Sequence, residues 1–243
     1  MFDARSLLQE GQWVAITGAG QGIGKAIALG FAQQKIFRLV LLSRSEAPLL
    51  ETAEECRNLG ALEVKSLSVD LSADVVNFPP EIQNLSIALL INNVGLFSMI
   101  SAKEANVAQF KEAWQSNVAA AIHCNKWVLP AMLEKGRGGI FHICSAASSV
   151  GRSYAATYAS AKHALSGYVK SLREDLKENG IAVSLINPGQ TFSNSWAGSD
   201  VNPAELIDPA DIAKILLSMA AMSPQSVVEE LSIEPIRGDR API

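Results

Sequence analysis

The chain has 243 residues and a mass of 25.9 kDa, long for one domain but within reach of a single α/β sheet. Hydrophobic residues make up 49% and charged residues 18%, which excludes intrinsic disorder and provides for a sizeable core. With 20 Lys+Arg against 24 Asp+Glu, the net charge of −4 supplies no overall positive field to draw the protein onto nucleic acid or anionic lipid.

Trp13 to Thr17 is a short apolar run ending at Gly18, read as a buried strand. From Ile23 to Gln34, apolar residues at 23, 26, 27, 30 and 31 trace one face of a helix. Leu39 to Leu42 reads as a second buried strand. Ala47 to Leu59 reads as a helix, with Gly60 where a C-cap glycine belongs. Leu62 to Val69 is the third strand, and Ile87 to Ile91 the fourth. The link between them, Leu71 to Ser86, carries Pro79-Pro80 and can hold only a short or broken helix. A long helix is expected from Val107 to Lys135, including Pro130 and stopped by Gly136. After it come a strand (Gly139 to Cys144), a helix (Thr157 to Glu178) and a strand (Ile181 to Asn187). Asp208-Pro209-Ala210-Asp211 has the composition of a helix start, and Val227 to Ile233 supplies the last strand. Seven strands alternating with about six helices predict a single-domain α/β fold over residues 1–243. Its sheet would be a doubly wound, mainly parallel, seven-stranded one of Rossmann type, covered by helices on both faces.

The first strand runs into Gly18-Ala19-Gly20-Gln21-Gly22-Ile23-Gly24, whose glycines fit G-x-x-x-G-x-G rather than the strict G-x-G-x-x-G fingerprint. A glycine turn between a strand and a helix lets the backbone approach a pyrophosphate, whose charge the helix N-terminus favours. The second strand ends at Ser43-Arg44, where an NAD site usually carries an acid. A guanidinium clamps a 2′-phosphate through two parallel hydrogen bonds. NADP(H) is therefore preferred over NAD(H), with the nearby Glu46 keeping NAD(H) open. Tyr158 and Lys162 stand four apart, on one helix face. A phenol ordinarily titrates near 10, and an ammonium beside it favours the ionised form, as a general acid working at neutral pH requires. Ser145 lies thirteen positions earlier at a strand end, where its hydroxyl could meet a substrate carbonyl. Asn117, a mediocre helix-interior residue, could hold a water against the helix backbone.

With these motifs in order, the chain resembles the short-chain dehydrogenases/reductases over nearly its whole length. Thr17 to Gly24 matches the family's cofactor turn, and Asp70 its adenine-side acid after the third strand. Asn92-Asn93-Val94-Gly95 is similar to its N-N-A-G segment, with Val94 for alanine. Asn117, Ser145, Tyr158 and Lys162 fall in its catalytic order, and Pro188-Gly189 resembles its nicotinamide-side turn. The resemblance implies cofactor contacts at Gly18, Gln21, Gly22, Ile23, Gly24, Ser43, Arg44, Asp70, Asn93, Val94, Gly95, Tyr158, Lys162, Pro188 and Gly189. A hydroxyl touching the nicotinamide carboxamide would come from Thr191 or Ser193. Gln21 occupies the place where many NADP-preferring members carry a basic residue, and Ala88 replaces a common aspartate. The tail from Val227 to Gly238-Asp239 and the loop around Trp196 look like the sepiapterin-reductase-like and benzil-reductase-like branch.

The expected activity is an NADPH-dependent carbonyl reductase acting on a ketone or diketone through a Tyr-Lys-Ser-Asn proton relay. Residues 190–202 would form a substrate loop, with Gln190, Phe192 and Trp196 in the pocket. The alternatives are an NAD-dependent alcohol or hydroxysteroid dehydrogenase, a 3-oxoacyl thioester reductase, and a nucleotide-sensing protein without turnover. The resemblance further implies a homodimer or homotetramer built through the helices at 107–135 and 157–178. No nucleic-acid or membrane partner is expected. Cys56, Cys124 and Cys144 are too few and scattered for a disulfide framework, and no signal-peptide pattern opens the chain, so a reducing cytoplasm is expected. His123, His142 and His163 lack ligand spacing with the cysteines, so no metal is expected. Cys144 reads as a buried strand thiol, Arg237-Gly238-Asp239 as a chance tripeptide, and Phe110, Trp114 and Val118 as core or subunit interface.

Overall fold

The computed structural model describes residues 6–193, 196 and 200–238. Seven strands form one sheet: β1 (Trp13–Thr17), β2 (Arg38–Ser43), β3 (Glu63–Ser68), β4 (Ile87–Asn92), β5 (Gly138–Ile143), β6 (Ile181–Pro188) and β7 (Glu230–Ile233). Their order is β3-β2-β1-β4-β5-β6-β7 and every pairing is parallel. The chain reverses its direction of winding between β1 and β4, and at such a switch point an open parallel sheet leaves a crevice at its carboxyl edge. β1 is buried along its whole length, as its uninterrupted apolar sequence requires of a central strand.

The connecting helices are α1 (Gly22–Ala32), α2 (Glu46–Leu59), the short α3 (Pro80–Gln83), α4 (Val107–Trp114), α5 (Ala120–Lys135), α6 (Ala156–Leu176) and α7 (Pro209–Ala220). α1, α2 and α7 cover one sheet face over a core containing Phe31, Phe37 and Phe141. α5 and α6 cover the other face over Leu90, Val128, Leu165 and Val183. Phe31 and Phe37 meet with ring centroids 5.8 Å apart. Truncating either to alanine would cost about 3–5 kcal/mol. α1 and α7 approach closely because Gly30 has no side chain: a methyl there would stand 3.0 Å from the Ala213 Cβ. Gly60 ends α2 in the left-handed conformation, φ 104°, and Asp208 caps α7 through the Ala210 amide.

Two expectations are corrected. The helix expected as one piece over 107–135 is interrupted by a π turn, Gln115–Ala119. There the Asn117 side chain donates to the Ala113 carbonyl at 2.9 Å, taking an acceptor that the regular helix would use, and the ladder widens by one residue. The last strand is shorter than Val227 to Ile233, spanning only Glu230–Ile233, because pairing to β6 begins at the Leu185–Glu230 register.

Candidate active site

The sequence-predicted residues collect at the carboxyl edge of the sheet, one strand end after another. Asp70 follows β3, Ser43 and Arg44 end β2, the glycine turn follows β1, Asn93 to Gly95 follow β4, Ser145 follows β5, and Gly189 to Thr191 follow β6. The site is thus a row along the edge rather than a point.

At the centre of the row, Thr17 fastens β1 to β4. Its hydroxyl oxygen accepts from the backbone amides of Asn93 at 2.9 Å and Val94 at 3.0 Å, while Asn93 Nδ2 donates to the Thr17 carbonyl at 3.1 Å. The glycine turn needs its glycines here. Gly18 and Gly22 adopt φ of 66° and 54°, and a methyl on Gly24 would strike the Gly18 carbonyl oxygen at 2.1 Å. Gly22 lies beside Ser193, whose Cβ would stand 3.2 Å from a methyl on it. The segment after β6 therefore reaches back to the glycine turn. Thr191 is buried, and its hydroxyl turns onto the Gly189 carbonyl at 3.0 Å.

At the outer end, Arg44 and Asp70 are both exposed. The Ser72 hydroxyl and amide both bond to Asp70 Oδ1, at 2.6 and 2.9 Å, and hold the carboxyl below its ordinary range; the Arg44 charge adds to the effect. Arg44 makes no ion pair among the described residues. Its guanidinium remains available to an anion.

At the inner end the groups are buried. Lys162 is 3% exposed, makes no ion pair among the described residues, and has a long hydrogen bond of 3.5 Å to the Ile143 carbonyl. Its Nζ lies 5.6 Å from the Tyr158 ring centroid. Cys144 holds the helix at this point, its thiol donating to the Lys162 carbonyl at 3.5 Å. Burial pushes that thiol up, so it stays a neutral packing group. Asn117 is fully buried in the π turn. Its Nδ2 donates to the carbonyls of Leu96 and Ala113, and its Oδ1 has no protein partner. A methyl on Gly95 would stand 2.7 Å from Asn117 Oδ1 and 3.0 Å from Lys162 Nζ. The bare glycine leaves room for both at one spot. Ser145 Oγ accepts from the Ala147 amide at 3.1 Å, which leaves its own proton free to donate outward.

Burying an ammonium and an amide oxygen with so few partners is costly, and such groups persist where a ligand or water completes them. Three of the four catalytic candidates, Asn117, Tyr158 and Lys162, therefore meet at one location, and Ser145 lies at the end of β5 on the same sheet edge. Among the pocket candidates, Phe192 is exposed, and Trp196 Nε1 donates to the Thr191 carbonyl at 3.0 Å. A cavity of about 570 Å³ opens instead between residues 202–211 and 233–237, and Gln190, Phe192 and Trp196 do not line it. Part of the 190–202 loop, and Asp239, lie outside the described residues. Val118 is core, whereas Phe110 and Trp114 are exposed. Among the described residues no helix is long and apolar enough to cross a membrane. Sequence reasoning missed Thr17 as a clasp and Gly95 as a spacer. A polar residue closing a buried strand was the one signal for the first.

The chain is 29% identical over 235 residues to sepiapterin reductase of Chlorobaculum tepidum, a match covering 92% of this chain and 96% of that one. It is 32% identical over 225 residues to mouse 17-beta-hydroxysteroid dehydrogenase 13, covering 86% of this chain and 70% of the other. The solved structure of a metagenomic short-chain oxidoreductase in complex with NADP superposes with a TM-score of 0.77 at 27% identity, covering 93% and 97% of the two chains. The family profile for short chain dehydrogenases matches residues 12–202. With that match joined to the parallel sheet and the row of site residues at its edge, the chain belongs to the short-chain dehydrogenase family of oxidoreductases, which act between CH–OH and C=O groups.

Proposed function

We propose that the protein is an NADPH-dependent carbonyl reductase of one domain, acting on a ketone or diketone. The observation that carries the reading is the meeting of Tyr158, Lys162, Asn117 and the bare Gly95, with Asn117 Oδ1 buried and unpartnered beside the Lys162 ammonium. The residues fit a bound dinucleotide. The glycine turn has no room for side chains at Gly18 and Gly24, Gly95 is exposed next to Lys162, and Arg44 is free to meet a 2′-phosphate. Gly18, Gln21, Gly22, Ile23 and Gly24 would hold the pyrophosphate, Ser43, Arg44 and Asp70 the adenosine end, and Asn93, Val94 and Gly95 the centre. Pro188, Gly189 and Ser193 would border the nicotinamide, with Thr191 already turned onto Gly189. When bound, the cofactor supplies the hydride.

The chain's own residues do the rest. The Ser145 hydroxyl, its oxygen fixed by the Ala147 amide, donates to the substrate oxygen and orients it. Tyr158 gives its proton to that oxygen, and the Lys162 charge stabilises the phenolate left behind. Asn117 Oδ1 holds a water that returns a proton through Lys162. The near-full-length match to a sepiapterin reductase supports a place near that branch. Exposed Phe110 and Trp114 on α4 support assembly through the helices, which light scattering at micromolar concentration would detect, and three buried free thiols suit a reducing cytoplasm.

The test is Tyr158→Phe. With NADPH oxidation followed across a set of ketones and diketones, kcat/KM should fall by about 10²–10⁴-fold, the range that a positioned acid contributes. Turnover at the native rate would overturn the reading.

A further inference from the structure

The segment after β4 is tied down at every second residue. The Leu96 carbonyl accepts from Asn117 Nδ2 at 3.1 Å, the Ser98 and Thr157 hydroxyls share a hydrogen bond of 2.9 Å, and the Ile100 carbonyl accepts from the Ala156 amide at 2.8 Å. The residues between these ties, Phe97 and Met99, are left 46% and 55% exposed. Phe97 falls against Tyr158, ring centroids 5.1 Å apart and planes at 76°. This is the edge-to-face arrangement that aromatic quadrupoles favour. Two of the three ties reach the first residues of α6, the helix that carries Tyr158, and the third is Asn117. The wall beside the phenol is thus fixed by the same elements that fix the phenol.

The other loops of this sheet edge expose apolar side chains as well. Val150, after β5, and Phe192, after β6, are 46% and 45% exposed, as is Leu96 at 45%. Three loops of one sheet edge thus carry exposed large apolar side chains, the residue type that lines ligand-binding grooves.

We propose that Phe97 is a specificity-determining residue of this site, selecting carbonyl compounds with a flat aromatic group next to the C=O over saturated or polyhydroxylated ones. The inference rests on the reading of Tyr158 as the acid. An oxygen within hydrogen-bond reach of the phenol sets its adjacent substituent beside the Phe97 ring. A flat ring can stack there or meet it edge-on. A saturated ring of the same size presents axial hydrogens instead, and a hydroxylated chain would set unpaired hydroxyls against an apolar wall.

The experiment compares acetophenone with cyclohexyl methyl ketone, matched in size and differing in flatness. kcat/KM is measured with NADPH, and the dissociation constants of 1-phenylethanol and 1-cyclohexylethanol are measured by calorimetry on protein saturated with NADPH, a pairing that cannot turn over. Phe97→Ala should lower the aryl-to-cyclohexyl ratio about fivefold in both measurements, and Phe97→Trp should keep it. Because each ratio is read against the native protein, the intrinsic reactivity of the ketones cancels. Phe97→Leu serves as a second truncation, with circular dichroism reporting the fold. An unchanged ratio in the folded truncations overturns the inference while leaving Tyr158 in place. Native turnover in Tyr158→Phe overturns the acid assignment instead, and the alcohol affinities then still report on Phe97.

Discussion

The two ends of the site are built on opposite electrostatic terms. At the β2–β3 end, Arg44 and Asp70 stand in solvent, where water screens each charge and a substitution disturbs little else. At the β4–β5 end, Lys162 and Asn117 are buried, the ammonium with one long hydrogen bond and the amide oxygen with no protein partner, so any change of space or polarity around them is felt at once. The exposed end is suited to choosing between similar cofactors, because its charges can be exchanged at small structural cost. The buried end is suited to chemistry, because a single ammonium there acts through little water. Exposed and buried charge are thus separated along one sheet edge.

Gly95→Ala is the sharpest way to break the contrast, because the added methyl meets Asn117 Oδ1 and Lys162 Nζ together. Turnover should fall on the order of 10²-fold, the cost of displacing positioned groups by a fraction of their contact distance. The thermal midpoint should fall as well, because buried groups must shift to admit the methyl; a drop in activity no larger than twofold in the folded variant would mean that the buried end tolerates crowding. Arg44→Asp probes the other end. It should reduce kcat/KM with NADPH by about tenfold or more while improving the relative use of NADH, since the acid repels a 2′-phosphate and accepts from a ribose hydroxyl. Equal losses with both cofactors would show that Arg44 does not face the 2′ position.

The smallest expected effect lies beneath the buried end. Burial, with repulsion from Lys162 and then Arg173, pushes the His142 imidazole down to about 3. Between that value and the ordinary 6.5, the unfolded chain binds a proton that the folded chain does not. Stability therefore falls as pH drops through this window, by at most about 1.4 kcal/mol per unit from this group. Urea unfolding of His142→Asn between pH 7 and pH 5 should give a shallower slope than the native protein. Parallel slopes would place the acid sensitivity elsewhere.

Much of the frame could be read along the chain because its signals are local. β1 matches its expected bounds, and Gly60, Gly136 and Asp208 end or start helices where their chemistry places them. The Tyr158–Lys162 pair needs only helical spacing, so it too was legible. The π turn was not: an inserted residue changes the hydrogen-bond ladder without changing composition, and it depends on where the Asn117 amide finds an acceptor. Thr17 and Phe97 were hidden for another reason. Each acts on residues far away in sequence, Thr17 on the Asn93 and Val94 amides and Phe97 on the Tyr158 ring, and no periodicity encodes such a meeting.

By itself the order of amino acids determined the alternation of strands and helices, the parallel sheet, and which residue types arrive at its carboxyl edge, because apolar period and turn chemistry act over a few neighbouring residues. Only the folded arrangement decided which of those residues stand in water and which are stripped of it. Solvation depends on everything packed around a group, and here it leaves Arg44 in water and Lys162 buried.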